Sequence, residues 1–414
     1  MRRDIFPLKE TEQEETRIMD GKIRIGIHGC GRGQDFIRLL SLLTDKAEIV
    51  ALCDNRERTL HRAKELCVGD PRIFSDFDDF IRCDMDGVIL CNFFHEHVSC
   101  AVKALERGIA VLSETTAAST LSECVQLVRA VEKTGGKYML AENYPFFCAN
   151  QEIKRIYDTG SLGRVLYAEG EYCHPMSKDE LNYAAETPDH WRAWLPKSYY
   201  LTHSLGPLMY ITGEIPVTVN CRTVFAPELF EGTDRRSADA VSVMLSQTES
   251  GALFRFTGTA SYAPHGDWYR IAGTKGGAET LRGDETRVRV AYNWWNVPDG
   301  EETERIYRPA WNEDGELAEK AGHNGGDYWV IRQFLSYITN NVPPFFDVFR
   351  AVTMSAVGIL AWRSSFENGK EYRIPDFRSE EERKLYENDN ASPFPGAENQ
   401  CVPPCSQPYD PAVS

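Results

Sequence analysis

The chain has 414 residues, 42% of them hydrophobic, a length that predicts two domains rather than one. Its 46 basic and 62 acidic residues give a net charge of −16, without any lysine- or arginine-rich block. Such a chain repels phosphate backbones and anionic membranes, so we expect neither a nucleic-acid nor a membrane partner. The first 20 residues lack the apolar core of a secretory signal, and no apolar run approaches a membrane helix. We therefore expect a cytoplasmic protein.

The two ends of the chain differ in composition from its centre. Residues 1–21 read as a polar N-terminal arm, and residues 378–414 become charged and then rich in proline, asparagine and serine. This composition predicts an extended C-terminal tail. The twelve cysteines are scattered through hydrophobic segments without the close pairing of a zinc site, so we expect reduced thiols and no metal.

Strands and helices alternate through the first half of the core region, 22–143. Strands are predicted over 22–28, 48–53, 86–91, 110–112 and 137–141, and helices over 34–43, 57–66, 96–107 and 121–134. Alternation at these lengths predicts an α/β Rossmann domain with a doubly wound parallel sheet.

The pattern changes after Glu142. A helix over 151–158 precedes strands predicted over 165–172, 217–224, 240–245, 252–260 and 268–273, and the last helices are predicted over 326–339 and 349–364. Consecutive strands without crossover helices favour a large, open, mostly antiparallel sheet covered by helices on one face. We assign 144–377 to this α+β domain and expect it to bind the substrate.

A glycine-rich loop follows the first strand and precedes a helix. It runs Gly29-Cys30-Gly31-Arg32-Gly33, where a standard dinucleotide fingerprint would place its third glycine at Gln34. Asp54 ends the second strand about 20 residues further on, where a carboxylate can accept hydrogen bonds from a ribose diol. That arrangement favours NAD over NADP, although Arg56 would suit a 2′-phosphate. The alternative is a tight turn with a helix-capping aspartate.

Two further stretches carry a family resemblance. Asn92-Phe93-Phe94-His95-Glu96-His97 stands after the fourth strand, and Ser113-Glu114-Thr115-Thr116 stands after the fifth. With the glycine loop and Asp54, they resemble the glucose–fructose oxidoreductase/inositol dehydrogenase/MocA (Gfo/Idh/MocA) family. His97 takes the place of the family's histidine and Glu114 that of its Glu-Lys-Pro glutamate, whereas Thr115 replaces the lysine. The resemblance implies that NAD is bound by Gly29, Gly31, Arg32, Gly33, Asp54, Asn92, His95, His97 and Glu114.

The second half adds a more specific likeness. Its motifs are Glu142-Asn143-Tyr144, Glu171-Tyr172-Cys173-His174, Trp191-Arg192, the stretch from Tyr200 to Pro207, and the stretch from Gly322 to Tyr328. In this order they resemble the NAD-dependent glycosidases of glycoside hydrolase family 109. The Thr-His-x-Leu-Gly-Pro part, 202–207, is the most specific, and Leu201 and Ser204 are mild departures from it.

This resemblance implies a redox-assisted hydrolysis. The sugar would be oxidised at C3, lose its C2 proton and its aglycone, take up water and be reduced again. Tyr172 and His174 lie two apart at a strand end, and Tyr200 and His203 lie three apart at a helix start, so each pair shares a face. The first pair would serve the C2 proton or the leaving group, and the second pair the C3 hydroxyl in place of the missing lysine. Glu142, Arg192 and His323 would bind substrate.

Other functions remain open from the sequence. A sugar or cyclitol dehydrogenase forming 3-keto-glycosides would need the same fold, and a non-catalytic NAD-binding sensor would be consistent with the lost lysine. Trp294-Trp295 could stack on a sugar ring, form an exposed hairpin or contact another subunit. Glu169 and Glu171 lie two apart on one strand, too close to flank a glycosidic bond as a carboxylate pair. We expect a small-molecule carbohydrate or glycoside substrate and a homo-oligomer, with the second sheet as its interface.

Overall fold

The computed structural model describes residues 21–185, 187–188, 190–311, 313–395, 399–400 and 403–408. The predicted arm, 1–21, lies outside these ranges except for Gly21. None of the described helices is long and apolar enough to cross a bilayer.

The first half is a parallel α/β sheet, as predicted. Its strands are β1 (Ile23–His28), β2 (Ala47–Cys53), β3 (Arg72–Phe74), β4 (Gly87–Leu90), β5 (Ala110–Ser113) and β6 (Tyr138–Leu140). Its helices are α1 (Gly33–Leu40), α2 (Glu57–Glu65), α3 (Phe77–Phe80), α4 (His97–Leu105) and α5 (Leu121–Thr134). The strand order is β3-β2-β1-β4-β5-β6 with every pair parallel. The order reverses between β1 and β4, where ligands bind such sheets at the carboxyl ends of the strands.

The second half contains nine strands. They are β7 (Val165–Cys173), β8 (Thr218–Phe225), β9 (Asp239–Gln247), β10 (Leu253–Thr257), β11 (Gly266–Gly273), β12 (Gly276–Leu281), β13 (Asp284–Tyr292), β14 (Glu304–Tyr307) and β15 (Tyr372–Arg373). Their order is β14-β13-β12-β11-β7-β10-β9-β8-β15, and within the described part of this sheet β7 and β10 are the one parallel pair. The predicted mostly antiparallel sheet is therefore confirmed.

Helices cover one face of this sheet and join it to the first half. They are α6 (Cys148–Asp158), α7 (Lys178–Ala185), α8 (Trp191–Trp194), α9 (Thr202–Thr212), α10 (Gly315–Lys320), α11 (Gly326–Asn340), α12 (Val348–Phe366) and α13 (Glu380–Tyr386). Helix α9 packs on β7, and α12 packs on both β8 and α5. One continuous hydrophobic core results, running from Ile23 in β1 to Phe394. Because both halves contribute to this core, the site residues of one half are held in position relative to those of the other.

The C-terminal segment differs from the predicted extended tail. Residues 380–386 form α13, which Ser379 caps and which packs on α5. The charged residues of this segment, whose number suggested exposure to solvent, form ion pairs with the rest of the protein. Arg129 donates to Glu380 at 2.6 Å, and Arg363 donates to both oxygens of Asp389 at 2.5 and 2.7 Å. Two short strands, β16 (Ala391–Ser392) and β17 (Asn399–Gln400), follow. Ion pairing and the burial of Phe394 hold this segment in place.

Candidate active site

The glycine loop turns at the carboxyl end of β1. Gly29 has φ +90°, and a Cβ there would lie 2.3 Å from the backbone nitrogen of Asn92. A Cβ on Gly33 would lie 2.8 Å from the side chain of Ile27, so this glycine lets α1 pack closely on β1. Gly33 thus provides the close helix–strand contact that a third glycine normally provides, one position earlier.

Asp54 fixes the shape of this loop. Its carboxylate accepts the backbone N–H of Cys30 at 2.7 Å and that of Arg56 at 2.9 Å, and it is 4% exposed. The remaining lone pairs face a groove of about 730 Å³, whose lining also includes Gly29, Gly31 and Asn92. The carboxylate therefore orders the loop and remains available at the groove.

The groove fits a dinucleotide. Gly29 leaves room that a Cβ would fill, and α1 begins immediately after the loop. The Oδ1 of Asn92 and the Oγ1 of Thr115 are buried without a hydrogen-bond partner. Such orphaned atoms suit the polar groups of a nicotinamide nucleotide.

The two histidines after β4 have different surroundings from those predicted. His95 lines neither cavity of the site; its ring stacks on Phe394 with centroids 5.8 Å apart. The 3₁₀ turn at 94–96 places this ring against the C-terminal segment, which does not support the expectation that His95 binds the cofactor. His97 is buried and contacts the carbonyl oxygens of Thr116 and Asn92 at 3.0 and 3.2 Å. Burial lowers its pKa to about 4, which favours a neutral ring that donates to one of these two carbonyl oxygens and packs against the other.

A charged network joins the glycine loop to the second half. The guanidinium of Arg32 donates to both oxygens of Asp327 at 2.8 and 2.9 Å and to Glu114 at 2.8 Å. Asn143 donates to Asp327 at 2.7 Å, and Nδ1 of His323 lies 2.9 Å from it. Burial alone would raise the pKa of Asp327, but the charges and hydrogen bonds of Arg32 and His323 hold it well below its usual range.

An aromatic cluster lies beside this network. Tyr172 and His203 have ring centroids 4.9 Å apart, Tyr200 and His203 5.1 Å, and Tyr172 and His174 5.7 Å. All four side chains line one cavity of about 320 Å³ that also contacts Asn92, Glu114 and Thr115. The structure thus brings together the four residues that the sequence singled out for proton transfer, next to the cofactor loops.

Glu142 lies behind His203 rather than in the cavity. It is fully buried, and both of its oxygens lie within 3.1 Å of Nδ1 of His203. Glu142 was expected to bind substrate hydroxyls, but here its carboxylate contacts the imidazole and accepts the N–H of Tyr144, so a direct contact with substrate stays a prediction. A Cβ on Gly206 would lie 2.8 Å from Glu142 Cγ, so the glycine of the His-x-Leu-Gly stretch makes this approach possible.

This contact determines what His203 can do. A carboxylate at Nδ1 accepts a hydrogen bond, so Nδ1 carries a proton and Nε2 is the ring nitrogen that can exchange one. The ring of Tyr144 stacks on His203 at 4.0 Å, and the hydroxyl of Tyr269 donates to the His203 carbonyl at 2.6 Å. The imidazole is held on three sides with one nitrogen free to exchange protons.

The other groups have distinct protonation preferences. Burial raises the pKa of both Tyr172 and Tyr200, so each keeps its proton at neutral pH. Burial, and then the charge of His265, lower the pKa of His174, which favours a neutral imidazole. The site therefore holds phenol donors and imidazole acceptors together, which general acid–base catalysis needs.

Arg192 and His323 were expected to bind substrate, and both line the cavity. Several lining or supporting residues were missed by the sequence reasoning: Tyr144, Lys197, Arg235, His265 and Asp327. Asp327 stands in the stretch from Gly322 to Tyr328, which did carry a signal. Lys197 and Arg235 come from loops far apart in the chain, and only the fold brings them together.

Three family models match the chain. Residues 23–142 match the oxidoreductase family with an NAD-binding Rossmann fold, 150–279 match the GFO/IDH/MocA C-terminal domain, and 235–382 match the glycosyl hydrolase 109 C-terminal domain. Among curated relatives, the glycosyl hydrolase family 109 protein 1 of Shewanella sp. strain MR-4 is 25% identical over 399 residues. A family 109 protein of Shewanella baltica strain OS155 is 24% identical over 399 residues, and each comparison covers 86% of this chain and 85% of the relative.

Solved structures share the fold at lower identity. Levoglucosan dehydrogenase in complex with NADH superposes with a TM-score of 0.73 and 17% identity, covering 86% of this chain and 100% of that one. The myo-inositol 2-dehydrogenase of Lactobacillus plantarum superposes with a TM-score of 0.65 and 19% identity, at the same coverage. These likenesses establish the architecture, a Rossmann half followed by an open sheet.

Proposed function

The chain belongs to the Gfo/Idh/MocA family of NAD-dependent oxidoreductases, and from that premise we propose that it is a glycosidase working by transient oxidation of its sugar. The observation that carries the proposal is the Glu142–His203 pair, with Tyr172, His174 and Tyr200 around it, where the family's lysine is replaced by Thr115. Plain oxidation of one hydroxyl needs one base, whereas this cavity holds several proton-transfer groups.

The residues that would hold NAD line the groove at the glycine loop. Gly29 and Gly31 would allow the backbone to approach its phosphates, Asp54 would accept hydrogen bonds from the ribose diol, and Asn92 presents an unpaired polar atom. Thr115 presents another, on the adjoining cavity. When bound, NAD supplies a hydride acceptor for C3 of the sugar and returns the hydride at the end of the cycle.

His203 is proposed to move the proton of the C3 hydroxyl. Its Nε2 accepts that proton while Glu142 stabilises the resulting imidazolium through Nδ1. Tyr200, whose ring lies against His203, donates a hydrogen bond to the same sugar oxygen. This pair does the work that the lysine does in other members of the family.

Tyr172 and His174 are proposed to carry out the elimination. A C3 ketone acidifies the C2–H, and the neutral imidazole of His174 accepts that proton. Tyr172, which holds its phenolic proton because burial raises its pKa, protonates the leaving oxygen at C1. Water then adds at C1 with the reverse proton movements. Because C3 also recovers its hydride, no net oxidation results. The sugar ring itself is held by Arg192 and His323 at the cavity wall.

The test uses the purified protein with its dinucleotide and a panel of nitrophenyl glycosides in deuterated water. We expect nitrophenol release without NADH accumulation, and deuterium at C2 of the liberated sugar. Hydrolysis with protium fully retained at C2 would refute the elimination.

Two other results would select the rival functions. One equivalent of NADH and a 3-keto-glycoside, without release of nitrophenol, would identify a dehydrogenase. Tight dinucleotide binding without turnover of any glycoside in the panel would identify a sensor.

A further inference from the structure

Three cationic side chains lie on the wall of the active-site cavity, and one of them, Arg192, also lines the dinucleotide groove. Arg192, Lys197 and Arg235 all line this cavity, together with Ser261 and Phe230. Arg235 donates to the carbonyl oxygen of Arg192, and the ammonium of Lys197 donates to Ser261 Oγ at 2.8 Å. We call Arg192, Lys197 and Arg235 the cationic wall.

The positive charge of this wall is not balanced locally. In the described part of the chain, none of the three side chains makes a salt bridge, although acidic residues outnumber basic ones in the sequence. The nearby carboxylate of Asp239 is occupied by the N–H and hydroxyl of Ser406 at 2.9 and 2.6 Å. The Nε of Arg235 is buried without a hydrogen-bond partner. Arg192, Lys197 and Arg235 are half-buried, and cations in such positions without counter-charges are destabilising unless a ligand supplies the anion.

The charges also act on one another. Burial, and then the charge of Arg192, lower the pKa of Arg235 to about 10. Burial, and then the charge of Arg235, lower the pKa of Lys197 to about 7. Mutual repulsion of this kind is relieved when an anion binds between the groups.

The wall is adjacent to the reacting groups. The guanidinium of Arg192 packs over Trp191 at 4.5 Å, and its charge acts on both Tyr172 and Tyr200. Lys197 and Tyr200 are the first and last residues of one 3₁₀ turn. A sugar in contact with the tyrosines therefore extends toward the wall.

We propose that the cationic wall is a subsite for an anionic group, a carboxylate, sulfate or phosphate ester, carried by the glycoside. The inference rests on the proposed function, because it names the class of substrate that this cavity takes. Arg192 lines both the catalytic cavity and the dinucleotide groove, whereas Lys197 and Arg235 line the catalytic cavity alone, so we assign the anion to the substrate on the position of these two residues.

The test is calorimetric and does not depend on turnover. The NAD-saturated protein is titrated with D-glucuronate against D-glucose, D-galacturonate against D-galactose, and D-glucose 6-sulfate and 6-phosphate. In a further arm, 4-carboxyphenyl glucoside is compared with phenyl glucoside, which separates an anion on the aglycone from one on the sugar. We expect at least one charged ligand to bind about tenfold or more tightly than its neutral partner, as a charge-assisted hydrogen bond allows.

Variants assign the preference to the wall. Arg235→Gln and Lys197→Met are each expected to reduce the charged-to-neutral preference about tenfold, whereas Arg107→Gln, an exposed arginine on the other half, keeps it. Equal binding of charged and neutral partners in every pair overturns the proposal, as does a preference that survives both variants. Inorganic sulfate binding as tightly as the sugar anions also overturns it, since the subsite would then hold only a free ion. Failure of hydrolysis with this preference intact would refute the glycosidase mechanism alone.

Discussion

At the residue scale, the proton chemistry depends on the carboxylate of Glu142 at Nδ1 of His203. We expect His203→Ala to lower kcat by about 10²–10⁴-fold, the usual contribution of a general base. Glu142→Gln leaves an acceptor oxygen but removes the charge that stabilises the imidazolium, so we expect an intermediate loss. Steady-state kinetics measures both effects.

Two controls separate this loss from damage to the fold. Both variants are expected to keep bound NAD, measured by its absorbance after denaturation. His61→Ala removes an exposed histidine far from the cavity and is expected to have wild-type kcat. If His203→Ala turns over near the wild-type rate, the assignment of this residue is wrong.

Lys197 gives the second prediction at this scale, a pH dependence of anion binding. Because its pKa is lowered to about 7, the side chain is charged below that pH and neutral above it. Arg235 stays charged over this range, and Asp239 is the carboxylate acting on Lys197. The affinity for a uronate should therefore fall about tenfold as the pH rises from 6 to 9.

Titrations at fixed ionic strength measure this change, and Lys197→Met supplies the control because it has no group to titrate there. A uronate carboxylate stays ionised throughout the range. Constant wild-type affinity from pH 6 to 9 would contradict the role of Lys197.

The sequence predicted some of these residues and not others, for a physical reason. Tyr172 with His174 and Tyr200 with His203 are near neighbours in the chain, so local periodicity already places each pair on one face. The position of Glu142 behind His203 depends on how the segment after β6 packs against α9. The cationic wall joins Arg235 to Lys197 and Arg192, which precede it by 38 and 43 residues. The sequence did not reveal the 3₁₀ turn over 94–96, which places the ring of His95 against the C-terminal segment.

At the element scale, the approach of α9 to β7 positions His203. A Cβ on Gly170 would lie 2.1 Å from the carbonyl oxygen of Ser204, so the two elements would have to separate. We expect Gly170→Ala to reduce the free energy of unfolding by about 1–3 kcal/mol, the usual cost of overpacking. Activity should fall as well, because Ser204 adjoins His203.

Gly266→Ala is the matched control for this prediction. Gly266 lies on β11, the strand next to β7, and a Cβ there meets nothing within 4 Å. Its effect should stay within about 0.5 kcal/mol by urea denaturation. Equal stabilities of the two alanine variants would show that the approach of α9 is not limiting.

Local signals explain which elements were predicted. Helix α5 begins and ends where expected, because Thr120 and Glu123 form a capping box and Gly135 ends the helix in the left-handed region. Strands β12 to β14 were not predicted, since they carry charged residues such as Arg289 and Glu304 on an open face. The sequence did not predict helix α13, because its composition is typical of disorder. The helix is stabilised by ion pairs with the rest of the protein.

At the scale of the whole molecule, both halves share one core, and the nine-stranded sheet carries exposed apolar side chains. Leu245, Leu253 and Ile306 are exposed there among alternating charges. The homo-oligomer expected from the sequence stays a prediction. Sedimentation velocity at several concentrations measures it, and a single species with the mass of one chain would contradict it.

Asp327 connects the two halves, since it lies at the start of α11 and holds Arg32 of the glycine loop. Its pKa is held well below its usual range, so the unfolded chain binds more protons than the folded one in acid. The contribution of Asp327 is therefore fully present above about pH 4, the ordinary value for this group, and is lost as the pH falls toward the folded pKa. At pH 7 the contribution of Asp327 to the free energy of unfolding is therefore fully present.

We expect Asp327→Asn to reduce the free energy of unfolding at pH 7 by about 1–3 kcal/mol, because the side chain is fully buried and Arg32 loses charge-assisted hydrogen bonds while keeping Glu114 and Asp35. Asp35→Asn removes a second carboxylate from the same arginine, at 2.9 Å but 39% exposed, and should cost less than about 1 kcal/mol. Urea denaturation at pH 7 compares them, and NAD content should fall only in Asp327→Asn, since Arg32 shapes the glycine loop. If the two variants unfold at the same urea concentration, the coupling of the halves through Arg32 is wrong.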